Sequence, residues 1–181
     1  MGFPFARAAG ARDELGFTLI ELLTVITVMA VLMAVAVPAF DGVRLSTRLN
    51  SYANSLVAAS QLARSEAIKR NATVTLCPSA NGTSCTDDGK WEAGWIVLSD
   101  TAVLRAQPAA AAGYYIHGST LPLSFDATGL GATQATLTIC RATPTVGSQE
   151  RVVKISATGR TSITNTTAGS CSWASHRRRM P

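Results

Sequence analysis

Between Phe17 and Phe40 the chain carries one charged side chain, Glu21, within a run of Val, Ile, Leu, Met and Ala. The 21 residues from Phe17 to Val37 make a helix that, at about 1.5 Å per residue, spans the roughly 30 Å hydrocarbon layer of a bilayer. Thr18, Thr24 and Thr27 can bond back to their own helix, and Pro38 stands where such a helix would kink or pause. Arg7 and Arg12 precede the run and Arg44 and Arg48 follow it, so the flanking cations set no orientation. A chain with this segment is expected to fold as an apolar helix carrying a soluble head.

A cleaved secretory signal is the competing interpretation, with Ala34-Val35-Ala36 as its small-x-small site. The apolar run is longer than the usual 7–15-residue signal core, and Glu21 lies inside it. A carboxylate at that depth is costly unless paired, which marks it as functional. Outside the run the chain is ordinary, polar and rich in Ser, Thr and Gly. Only 15% of the 181 residues are charged, which excludes wholesale disorder, and an apolar excess confined to one run of so short a chain excludes a multi-domain enzyme and a polytopic membrane protein.

From Val43 to Arg70, the residues Leu45, Leu49, Tyr52, Leu56, Ala59 and Ala63 recur at spacings of four and three. They form one apolar helical stripe, with Asn71 as a C-cap. Beyond Asn71 the pattern turns to short strands: residues 73–77, 94–99, 103–106, 114–117, 121–125, 135–141 and 151–156. The fold class is α+β, one long helix packed on a small antiparallel sheet. Ala127-Thr128-Gly129 before Cys140 and Ala157-Thr158-Gly159 before Cys171 suggest two similar hairpins.

Four cysteines allow three pairings. The loops favour Cys77–Cys85, which closes a Gly/Ser/Asn stretch, and Cys140–Cys171, which pins the C-terminal segment. No Cys/His spacing suits zinc. His117 and His176 have no nucleophile or carboxylate set around them, Asp87-Asp88-Gly89 reads as a turn, and no phosphate-binding Gly loop is present. Neither an enzyme, a cofactor nor a metal is expected. Charge is uneven: residues 72–140 hold two basic and five acidic side chains, whereas residues 141–181 hold seven basic and one acidic. That bias points to a polyanionic partner or to a solvated basic tail.

Gly16-Phe17-Thr18-Leu19-Ile20-Glu21 and the apolar run behind it resemble the type III signal of type IV prepilins and type II secretion pseudopilins. The resemblance implies that a prepilin peptidase cuts between Gly16 and Phe17 and N-methylates Phe17. It also implies that Glu21 neutralises the N-terminal ammonium of a neighbouring subunit, that Pro38 is the helix-kinking proline, and that the head is periplasmic on a single-pass inner-membrane anchor. A buried carboxylate needs such a cation. The implied organisation is a leader at 1–16, a membrane and filament-core helix at 17–40, its amphipathic continuation at 41–71, a β-rich head at 72–175 and a basic tail at 176–181.

Gln61 to Asn71, Val74-Thr-Leu-Cys-Pro-Ser79 and Trp91-x-x-Gly94-Trp95 are similar to the GspH/FimT family, in the FimT-like manner of minor pilins. The implied function is a minor pilin that joins other pilins in a pilus. The alternatives are a GspH-type minor pseudopilin of protein secretion and a receptor for double-stranded DNA in natural transformation. The DNA-binding Gly-Arg-x-Arg motif of some relatives falls on Gly159-Arg160-Thr161-Ser162, where Ser162 replaces the second arginine. Arg151, Lys154, Arg177, Arg178 and Arg179 would supplement Arg160 on phosphates.

Overall fold

The computed structural model describes residues 17–118, 122–130, 133–143, 146–167 and 171. The chain forms two compact units that divide between Phe40 and Asp41. Helix α1 spans Leu19–Arg70.

In the first unit, α1 begins with a reciprocal cap. The Glu21 amide donates to Thr18 Oγ1 at 3.3 Å, and the Thr18 amide donates to Glu21 Oε2 at 3.5 Å. This Thr-x-x-Glu arrangement satisfies two of the amides that a helix start leaves bare. Thr24 and Thr27 donate to the carbonyls of Glu21 and Thr24, as expected. The helix does not pause at Pro38. A proline removes one donor from the ladder, and here the turns on both sides carry the helix through it.

In the second unit, α1 buries Leu45, Leu49, Ala53, Leu56, Ala59, Ala63 and Ala67. The stripe is that of the sequence, extended by Ala53 and Ala67. Small residues fill its C-terminal half, so the strands can approach the helix closely there. Half-buried Tyr52 accepts the Ala111 amide at 2.8 Å on its hydroxyl and meets the Tyr114 ring edge-on, 5.6 Å between centroids. The helix ends at Arg70, followed by Asn71, whose φ of 49° is left-handed, with the Ala72 amide donating to the Ala67 carbonyl at 3.2 Å.

Among the described residues eight strands follow: β1 (Val74–Pro78), β2 (Trp95–Ser99), β3 (Ala102–Gln107), β4 (Tyr114–Gly118), β5 (Leu123–Phe125), β6 (Ala135–Arg141), β7 (Glu150–Ile155) and β8 (Thr161–Thr166). They form two antiparallel sheets, β3-β2-β1-β5 and β4-β6-β7-β8, instead of the single small sheet expected. Both contribute to one core with the helix stripe, including Trp91, Trp95, Ile116, Phe125, Leu137, Ile139 and Val153. Strand β8 had no counterpart in the sequence reading. Thr161–Thr166 shows no apolar alternation because most of it is exposed on both faces, and it exists by pairing with β7.

Candidate functional site

Two surfaces carry the residues that the sequence singled out. The first is the helix from Phe17. Twelve large apolar side chains between Phe17 (85% exposed) and Met33 stand open, and Glu21 is the one charged residue among them. At about 2 kcal/mol each, their burial is worth on the order of 20 kcal/mol, more than a domain's entire stability. Such a surface requires an apolar covering. Among the described residues no helix is long and apolar enough to cross a membrane. The side chains at 35 and 37–39, Pro38 included, lie outside the described set, as do Gly16 and the leader.

The second surface is built by two matching turns. In one, the Gly129 amide donates to the Asp126 carbonyl at 2.9 Å and the Asp126 amide to the Leu130 carbonyl at 3.0 Å. In the other, the Gly159 amide donates to the Ser156 carbonyl at 2.9 Å and the Ser156 amide to the Arg160 carbonyl at 3.0 Å. Both glycines are left-handed, at φ 77° and 71°. The repeated Ala-Thr-Gly is thus one turn used twice, although the first connects the two sheets and only the second closes a hairpin. The turns touch: a Cβ on Gly159 would lie 2.9 Å from the Gly129 carbonyl, and Arg64 Nε lies close to both positions.

Arg160 therefore stands between two clefts. One, of about 620 Å³, is lined by Gln134, Thr136, Lys154 and Ser162 beside Arg160. Thr136, Lys154 and Ser162 are aligned across β6, β7 and β8, which puts them on one face. The other, of about 300 Å³, lies against α1 at Gln61, Arg64 and Ile68. Lys154 and Arg160 are exposed, and among the described residues neither has a carboxylate partner.

Arg151 is not part of this corner. It is 3% exposed, and its guanidinium donates to Asn50 Oδ1 at 2.6 Å, Ser46 Oγ at 2.9 Å, Gln149 Oε1 at 3.2 Å and the Glu150 carbonyl at 3.0 Å. Its position in β7 turns it inward onto the helix, so the expected phosphate contact is corrected to a packing role. Arg177, Arg178 and Arg179 lie outside the described residues. Both expected disulfides are present, Cys77–Cys85 and Cys140–Cys171, with Cα separations of 5.6 and 5.7 Å. The Cys171 amide also donates to buried Glu150 Oε1 at 3.3 Å.

Sequence reading missed one cross-link. Arg141 grips Asp41 with both nitrogens, at 3.0 and 2.9 Å. That bidentate bond holds the Asp41 carboxyl below its usual range and raises the Arg141 guanidinium. No local signal links residues so distant in the chain. Among the described residues, no group of His, Cys, Asp and Glu could hold a metal ion.

The family described as Type II transport protein GspH matches residues 52–159, more than half of the chain. The chain belongs to the GspH family. A prokaryotic N-terminal methylation motif matches residues 11–37, which bracket Gly16, Phe17 and Glu21. Two crystal forms of the type IV minor pilin FimU of Pseudomonas aeruginosa share the fold at 27% identity. One covers 66% of this chain and 90% of its own at a TM-score of 0.53; the other covers 64% and 92% at 0.50. The minor pseudopilin EpsH of the Vibrio cholerae type 2 secretion system is a weaker likeness, at 14% identity and a TM-score of 0.48 over 65% of this chain and 96% of its own. No curated protein sequence matches the chain significantly. The chain is thus a minor pilin or pseudopilin with the α+β architecture of that group, and its family and structural neighbours are structural filament proteins.

Proposed function

We propose that this chain is a minor pilin of a type IV pilus, of the FimT-like kind. A prepilin peptidase cleaves it between Gly16 and Phe17 and methylates Phe17. The apolar helix anchors it across the inner membrane with the head in the periplasm, and it then joins other pilins in a filament. The observation that carries this reading is Glu21, the single charge in an exposed apolar stretch that the methylation motif covers. Bilayer lipid covers such a helix before assembly, and neighbouring helices cover it afterwards. Its carboxylate then meets the methylated terminus of an adjacent subunit.

Glu21→Gln tests the assembly role. Leaving a neighbour's ammonium unpaired in an apolar core costs several kcal/mol. Cleavage is expected to persist in the variant, while the amount recovered in sheared filaments falls at least about tenfold. Wild-type incorporation of the variant would contradict the role.

A second reading, a minor pseudopilin of type II protein secretion, is supported by the description of the family itself. Deleting the gene separates the two: loss of surface pili favours the first, and loss of an exported enzyme with pili intact favours the second. For the basic corner, duplex DNA is the competing occupant and is an outcome of the experiment that follows.

A further inference from the structure

Two sheets have four edges, and three of them are blunted. Strand β5 has only three residues. The side of β4 is bridged by Lys90 pairing with His117. Strand β3 carries Arg105, and its pairing with β2 is broken by an irregularity between Val97 and Leu98. Charges, bulges, short length and cover are the usual devices against unwanted pairing.

Among the described residues, strand β8 has none of these. Its six residues, Thr-Ser-Ile-Thr-Asn-Thr, contain no charge and no proline, and they pair with β7 in unbroken register from Ile155–Thr161 to Glu150–Thr166. Bonded and non-bonded pairs alternate along an antiparallel ladder. Counting from the Ser156–Arg160 bond, the amides of Thr161, Ile163 and Asn165 point away from β7. Ser162, Ile163, Thr164 and Asn165 are exposed, so neither face of the strand is covered at its middle. The start of this edge adjoins the corner where, among the described residues, Arg160 and Lys154 lack carboxylate partners.

We propose that β8 is a docking edge for an extended acidic strand of a neighbouring filament subunit. The strand adds to the sheet beyond β8 and takes hydrogen bonds from the outward amides. Its side chains alternate between the faces, so carboxylates reach Lys154 and Arg160 on one side and Arg64 on the other. Main-chain pairing supplies affinity in this mode, and the flanking cations select the partner. Only the identity of the partner as a filament subunit rests on the pilin reading; the strand addition does not.

The test uses the full chain in detergent micelles, with a short synthetic peptide of repeated Glu-Glu-Val-Val, which places carboxylates on both faces of a strand, as probe and amide hydrogen exchange as readout. The peptide is expected to slow exchange of the Thr161, Ile163 and Asn165 amides by on the order of tenfold. Ile163→Pro removes an outward donor while sparing the bonds to β7, and it should abolish that protection. Should that variant misfold, Lys154→Glu combined with Arg160→Glu changes only exposed groups and should weaken peptide binding at least tenfold. A short DNA duplex is titrated in parallel. Absence of protection at any peptide concentration would overturn the proposal. So would duplex binding without peptide binding, or peptide binding that survives in Ile163→Pro. The pilin reading is tested at the N-terminus, so the two can fail separately.

Discussion

Arg141 and Arg151 lie on adjacent strands, and both turn toward the helix, but they meet different chemistry. Arg141 meets a carboxylate, and Arg151 meets neutral oxygens of Asn50, Ser46 and Gln149. Arg151→Ala removes these hydrogen bonds and leaves a void where a 3%-exposed side chain packed, so unfolding of the full chain in micelles should show a loss of about 3 kcal/mol. Lys154→Ala, at an exposed site, should change stability by no more than about 0.5 kcal/mol. Equal effects would refute the division of the two residues into packing and surface. The carboxyls of Asp41, Glu66 and Asp126 are all held below their ordinary values, by hydrogen bonds from Arg141, from Arg70 and Lys69, and from Thr128 respectively. A carboxyl lowered in the folded state adds stability that is fully present above its unfolded value, here 3.8 for the aspartates and 4.5 for the glutamate, and that disappears as pH falls through the folded value. The head should therefore lose stability progressively below about pH 4.5. Asp41→Asn should be less stable at neutral pH and lose less on acidification. A variant as acid-sensitive as the wild type would show that the Arg141 bond contributes nothing to the acid response.

At the scale of elements, the twin turns give the sharpest contrast. Both Gly129 and Gly159 require a positive φ, which costs a non-glycine residue about 1–2 kcal/mol. An added Cβ on Gly129 meets the end of the Ile68 side chain, which can move, whereas on Gly159 it meets the Gly129 carbonyl, which cannot. Gly159→Ala should thus cost at least about 1 kcal/mol more than Gly129→Ala, measured by urea unfolding followed through buried Trp91 and Trp95. The helix stripe and most strands were legible because burial on one face leaves a period in the sequence; Leu45, Leu49, Leu56 and Ala63 follow it directly. Strand β8 was not legible, because a strand with both faces exposed has no period to show. The split into two sheets was equally hidden. Which edge pairs with which depends on contacts far apart in sequence, as between β1 and β5.

For the whole molecule, the N-terminal motif was the most legible feature because it is local. The methylation motif falls on one contiguous stretch of the sequence. The basic corner was legible only in part. Arg160 and Lys154 do share a cleft, but the inward turn of Arg151 depends on strand register, and the approach of Arg64 depends on the packing of two turns against α1. On the proposed function, this head is delivered to a filament by a processed apolar helix. The most direct measurement is the N-terminal mass of the chain recovered from membranes that contain a prepilin peptidase. A chain beginning at Phe17 with one added methyl group is expected, and an uncleaved chain when the peptidase is absent. A chain beginning at Val37, after the Ala34-Val35-Ala36 site, or an intact chain beginning at Met1 in the presence of the peptidase, would contradict it.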